Sequence, residues 1–215
     1  MFYQNGIGVP QDYDKAREWY EKAATKGDAD VKMALERLPI REAATAGRYD
    51  EALRLAEALA AKVEAVETKR DGKPGQQTAS QLKSVTWYLL FAKDYTKALA
   101  VADRAHVLFP NDLGIETNRA HALMFLRHDE EAKALYLAYK GQPMSRADYR
   151  LWERVIGQDF AEFRKAGLTH PMMADIEREL GVPPDCREGS SPLQALRDIG
   201  PNTGGNAMKK NGGNV

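Results

Sequence analysis

A single cysteine in 215 residues leaves no partner within the chain for a disulfide. No basic neighbour is placed to activate it, so Cys186 reads as an incidental thiol rather than a reactive one. An excess of charge is also missing. Thirty-one basic residues meet 31 acidic ones, for a formal net charge of +0. No global field draws the chain to nucleic acid or to an anionic membrane, which leaves only local patches. No run approaches the ~20 apolar residues of a membrane span. No signal peptide is visible either, since Met1-Phe2-Tyr3-Gln4-Asn5 has neither a basic start nor an apolar core. The cytoplasm is the default expectation, although the chain opens inside a repeat (below) and an upstream leader stays open.

Recognisable chemistry is equally scarce. The histidines are His106, His121, His128 and His170, and no two stand at the i, i+4 spacing of a helical metal site. Gly6-x-Gly8 and Gly72-Lys73-Pro74-Gly75 both fall short of a phosphate cradle. No Gly-x-Ser-x-Gly elbow exists, and Ser80, Ser84 and Ser145 lack an evident His/Asp set. Asp129-Glu130-Glu131 reads as a solvated helix face and cap. The basic stretches Lys69-Arg70-Asp71-Gly72-Lys73 and Lys209-Lys210 have no interleaved aromatics for stacking on bases. The expectation is no catalytic residues, no metal and no cofactor, with only a site assembled from distant residues left open.

What the chain has in abundance is paired helices. From Val85 to Pro110, Val85, Leu89, Leu90 and Ala92 form one apolar stripe at helical spacing. Ala98, Leu99, Ala102, Ala105, Val107 and Leu108 form a second. Lys93-Asp94 makes the corner, Asp94 caps the second helix and Pro110 stops it. Small residues at Ala98, Ala102 and Ala105 admit a close helix–helix approach. Such a hairpin cannot bury its apolar face alone and needs neighbours of its own kind.

Those neighbours are legible. Gly47-Arg48-Tyr49-Asp50-Glu51-Ala52, Lys93-Asp94-Tyr95-Thr96-Lys97-Ala98 and Arg127-His128-Asp129-Glu130-Glu131-Ala132 are three copies of one corner. Ala98 and Ala132 lie 34 residues apart, and Ala52 and Ala98 lie 46 apart. The polar segment 67–78, with two glycines and a proline, holds the excess. It is either an extended loop or a lengthening of the helices it joins. The first copy carries Pro39, which should break or kink its helix after Leu38. With this period and these small residues, 34–141 resembles tetratricopeptide repeats. The pattern departs at Thr86, where glycine is usual, and at Arg119 and Tyr139, where leucine and alanine are typical.

Upstream, Gly6-x-Gly8-Val9 is followed by Asp12, Lys15-Ala16, Trp19-Tyr20, Lys22-Ala23-Ala24 and Gly27. That order and spacing resembles a Sel1-like repeat over 3–27. Ala16, Trp19, Tyr20, Ala23 and Ala24 would form the inner face of its second helix. Only Met1 to Asn5 remain of its first, so an abbreviated start or a clipped chain is expected.

Downstream, Ser145-Arg146-Ala147-Asp148 reads as a capping-box-like helix start. The helix it opens carries Leu151, Trp152, Val155, Ile156, Phe160 and Phe163 and stops at Gly167. A further helix runs from Met172 to Leu180. Together they suit the cap that seals the last hairpin of a solenoid. Periodicity fades from Pro183. A short helix is possible at Pro192–Ile199, and the Gly/Asn-rich end from Pro201 is expected to be disordered.

The expected fold is an all-α solenoid of antiparallel hairpins. Its units are a partial Sel1-like repeat (1–38), tetratricopeptide-like hairpins (39–141), capping helices (142–182) and a mostly disordered tail (183–215). Stacked hairpins curve, and their first helices line a concave face. The resemblance implies that this face holds a protein or peptide. The groove residues would be Lys83, Trp87 and Leu90 with Phe91, then Thr117, Asn118, His121 and Met124 with Phe125. Asn118 sits where the family often bonds ligand backbone, and Trp87 and His121, 34 residues apart, should be neighbours. Trp87, Phe91 and Phe125 read equally as packing between hairpins. The function expected is a non-enzymatic adaptor for a protein or peptide partner. The alternative is the repeat region of a larger signalling protein whose activity lies elsewhere.

Overall fold

The computed structural model describes residues 2–187, apart from 7, 26, 146, 147 and 149. The expectations for Pro192–Ile199 and for the Gly/Asn-rich end lie outside the described residues. The helices in order are α1 (Phe2–Asn5), α2 (Tyr13–Ala24), α3 (Ala29–Thr45), α4 (Tyr49–Asp71), α5 (Gln76–Phe91), α6 (Tyr95–Leu108), α7 (Leu113–Phe125), α8 (Asp129–Ala138), α9 (Trp152–Lys165), α10 (Met172–Leu180) and α11 (Pro184–Arg187). From α1 to α8 each helix packs on the next, and α5 also packs on α7. The molecule is an all-α solenoid of antiparallel hairpins.

Three corners repeat one geometry. Gly47, Lys93 and Arg127 take φ of 74°, 62° and 65°. One residue later, Arg48, Asp94 and His128 donate their backbone N–H back to Ala43, Leu89 and Leu123 at 2.9, 3.0 and 3.0 Å. This is the left-handed helix stop with its long-range backbone bond. Four residues into the next helix stand Ala52, Ala98 and Ala132, each wholly buried. A methyl is all that fits where the second helix meets the first. The corner tyrosines repeat as well. Tyr49 stacks on Phe91 at 4.7 Å and Tyr95 on Phe125 at 4.8 Å, each reaching the first helix of the next hairpin. Thr86 is buried and bonds the carbonyl of Leu82 at 2.9 Å, so its hydroxyl is satisfied within the helix.

Side-chain caps set four of the helix starts. Asp12 accepts from Lys15 N, Asp28 from Asp30 N, Asp94 from Lys97 N and Asp112 from Gly114 N. α5 has no such cap of its own. Glu67 supplies it from α4, accepting from the backbone N–H groups of Gly75, Gln77 and Thr78 at 2.8, 3.1 and 2.9 Å and from the Thr78 hydroxyl at 2.6 Å. Burial opposes ionisation of this carboxyl. The Thr78 hydroxyl and the three N–H groups outweigh that and hold it below the usual carboxylate range. The segment 67–78 is therefore no extended loop. α4 runs on to Asp71 and α5 begins at Gln76, so the extra residues lengthen both helices.

Other expectations are corrected. α3 passes through Pro39 without a break. Pro39 is exposed, while Leu38 and Ile40 beside it are buried. Their combined burial, about 3–6 kcal/mol, offsets the cost of about 3 kcal/mol or more for an interior proline. Ser145 and Asp148 do not open a helix. The Asp148 N–H donates to Ser145 Oγ at 2.9 Å, and the Asp148 carboxylate is taken by the Arg150 backbone N–H (3.1 Å) and guanidinium (2.7 Å). The segment folds back on itself, with Met144 N–H on Arg150 O and Trp152 N–H on Gln142 O. Helix α9 starts only at Trp152. Trp19 is 61% exposed and Val107 78% exposed, so neither belongs to an inner stripe. Order continues past Pro183 into α11, where Cys186 is buried against α9.

Candidate binding cleft

The concave side carries more than repeat residues. α9 lies across it. At its start Trp152 seals α8, donating its indole N–H to Tyr136 O at 2.7 Å and packing on Tyr139 at 5.1 Å. Further along, Phe163 enters the groove. Its ring lies 5.1 Å from Trp87, 5.4 Å from Phe91, 4.9 Å from His121 and 5.3 Å from Phe125. One phenylalanine thus contacts both first helices, α5 and α7.

A buried polar relay pins this arrangement. His121 is wholly buried, with Nδ1 2.7 Å from the Tyr136 hydroxyl and Nε2 3.1 Å from Asp159. One tautomer satisfies the set: Nε2–H donates to the carboxylate and Nδ1 accepts from the phenol. Burial pushes the Tyr136 phenol far up, and the Asp159 charge adds to that. No atom of Tyr136 reaches solvent. The relay ties α7, α8 and α9 together, and only its outer end, Asp159, reaches the open groove.

Beyond Phe163 the groove opens into a cleft of about 800 Å³. The repeat wall is Ser84, Trp87 and Tyr88 of α5 with Thr117 and Asn118 of α7; Phe109 closes one end. The facing wall comes from the C-terminal segment: Met144, Asp148, Arg150, Val155 and Asp159. Two ion pairs take up most of its charge. Lys83 Nζ meets both Asp112 oxygens at 3.1 and 2.8 Å and Arg150 holds Asp148, while Asp159 accepts from the His121 Nε2–H.

The seven sequence-derived groove residues therefore divide. Lys83, Trp87, Thr117 and Asn118 line the cleft. Leu90, His121 and Met124 are wholly buried and present nothing to a ligand. Trp87 and His121 are neighbours, with ring centroids 6.5 Å apart. The Asn118 amide is already engaged, donating to Lys83 O at 2.9 Å, so it braces α7 on α5. The facing wall was missed, because nothing in the spacing of 142–159 places it opposite α5. The one signal was the weight of the α9 stripe, heavier than a simple end cap requires.

At the other end, Gly6 and Gly8 take φ of 67° and 69°, Asp12 caps α2, and Asp12 N–H donates to Tyr3 O at 2.8 Å. Residues 1–28 match the family model of the Sel1 repeat. No curated protein and no solved structure matches the chain. In this Sel1 repeat Ala16 is the buried residue of α2, and Trp19 lies on the surface beneath the Lys22 ammonium. Tyr13 joins the repeat to α3 through Thr45, at 2.7 Å. Among the described residues no group of three or more His, Cys, Asp or Glu side chains could hold a metal ion. No helix there is long and apolar enough to cross a membrane.

Proposed function

We propose that the chain is a non-catalytic helical-repeat scaffold that holds a protein or peptide segment in the cleft between α5, α7 and its own C-terminal segment. The observation that carries this reading is the cleft itself. It offers aromatic surface at Trp87, Tyr88 and Phe109 while most of its lining charges are paired internally. Such a surface favours apolar side chains with neutral backbone between them. The Sel1 repeat supports the reading, since these repeats serve in protein interaction. The upper groove, filled by α9, is not the seat of the partner.

The test is to fill the cleft without touching its braces. Ser84 lies on the cleft wall, and Ser84→Trp adds bulk into open space. Affinity capture from the native host, with wild type and variant compared at equal thermal stability, separates cleft ligands from the rest. Proteins lost with Ser84→Trp are the expected partners. An identical captured set would sink the assignment. Asn118→Ala is unsuitable, because it removes a structural hydrogen bond.

A further inference from the structure

Arg37 and Arg41 stand one helical turn apart on α3. The acids beside them in sequence face elsewhere: Glu36 is taken by Lys62 at 2.8 Å and Glu42 by Arg17 at 3.2 Å. No ion pair among the described residues includes Arg37 or Arg41. Arg37 donates one Nη to Ser80 Oγ of α5 at 3.0 Å, while its Nε is buried without any partner. A covered guanidinium N–H with nothing to donate to is costly and calls for an explanation. Burial, and next to it the charge of Arg41, depress the Arg37 pKa; Asp30 offsets this only through space. Like charges at i, i+4 repel.

Arg41 is held in place by a neutral group. With the Gln4 amide nitrogen turned to Tyr20, its carbonyl oxygen accepts from Arg41 Nη1 at 2.6 Å and Nε at 3.2 Å. The remaining N–H groups of Arg41 are not used by Gln4. The Arg41 charge also bears on the Tyr88 phenol, whose other titratable neighbours are Tyr13 and Tyr49. Ser80 is one turn from Ser84, and Ser84 and Tyr88 both line the cleft.

We propose that Arg37, Arg41 and Ser80 form a binding site for a phosphoryl oxyanion. Two guanidinia and a hydroxyl match a dianion with several acceptor oxygens, whereas a single carboxylate would leave one positive charge uncompensated. The site goes beyond the cleft reading and stands on different residues, so neither depends on the other.

The probes are inorganic phosphate and the peptide Gly-Gly-phosphoserine-Gly-Gly, with the unphosphorylated peptide as control. Binding is followed by calorimetry at constant ionic strength. Wild type should bind both phosphoryl probes and not the control. Arg37→Gln and Arg41→Gln, each checked for an unchanged helical spectrum, should each weaken phosphate binding about tenfold or more. Lys97→Gln, whose lysine is committed to Glu57, should leave it unchanged. Tighter binding of the phosphopeptide than of phosphate would assign the group to a modified protein; equal binding would assign it to the free ion. Absence of phosphate binding in wild type, or equal losses in all three variants, would overturn the site. Should an arginine variant unfold, Ser80→Ala gives the same reading, with a smaller expected loss.

Discussion

Phe163 of α9 stands edge-on to His121 of α7, ring centroids 4.9 Å apart at an interplanar angle of 87°. That contact turns a repeat groove into a half-filled one. Phe163 is wholly buried among Trp87, Phe91, His121 and Phe125. Phe163→Ala should cost about 3–5 kcal/mol, the usual range for a core aromatic truncated in place. The measurement is the urea midpoint. A loss below about 1 kcal/mol would mean that α9 does not pack in the groove.

The relay beneath that ring makes a separate prediction. Tyr136→Phe keeps the shape and removes one hydroxyl, leaving His121 Nδ1 buried and unpaired. The expected cost is about 1–3 kcal/mol. Combined with Asp159→Asn, the two losses should fail to add, since both groups act through one imidazole. Simple additivity in a double-mutant cycle would show that the histidine couples nothing.

Glu67 predicts a pH dependence. Its carboxyl is held below the usual range in the folded chain by four donors at the start of α5, against the opposing effect of burial. A depressed folded value means that the stabilisation is fully present above the unfolded pKa of about 4.3. It is lost as pH falls through the folded value. Glu67→Gln should lower stability at pH 7 by about 1–3 kcal/mol and flatten the acid limb of the stability profile. An acid limb identical to that of wild type would remove Glu67 as its source.

The corners, the cap at Asp94 and the buried alanines were legible in the sequence because each is a local rule. A left-handed stop, a carboxylate three residues before a donor and a methyl at a helix crossing all act within a few residues. What escaped was long-range. Whether 67–78 makes loop or helix depends on Glu67 reaching the start of α5. The fate of Ser145 and Asp148 depends on Arg150 capturing the carboxylate. The covering of His121 depends on Phe163, 42 residues further along the chain. Repeat spacing aligns α5 with α7, but it carries no term for a helix laid across both.

Strain at the second corner gives a stabilising prediction. Lys93 sits at φ 62° with its side chain exposed, where Gly47 fills the equivalent place. Lys93→Gly relieves about 1 kcal/mol of left-handed strain. Part of that is returned as freedom of the unfolded chain, for a net gain of about 0.5 kcal/mol. Lys93→Ala keeps the strain and should gain nothing. Equal thermal midpoints for the two variants would show that backbone conformation is not the controlling factor.

The last prediction concerns the close approach of α9 to the end of the chain. A Cβ on Gly157 would stand 2.3 Å from Val182 Cγ1 and 3.1 Å from Cys186 Cβ. Both neighbours are buried, so neither can swing into solvent to make room. Gly157→Ala should therefore push the 182–187 segment off α9, at a cost of about 1–3 kcal/mol. Cys186, buried in wild type, should then react with a thiol reagent at a rate near that of the unfolded chain. Val182→Ala alone opens a small gap. Placed together with Gly157→Ala it should restore most of the stability and protection, because losing the two γ-methyls of Val182 makes room for the one methyl added at 157. A double variant as reactive as Gly157→Ala alone would show that the clash lies elsewhere, and that α11 does not depend on the absence of a side chain at 157.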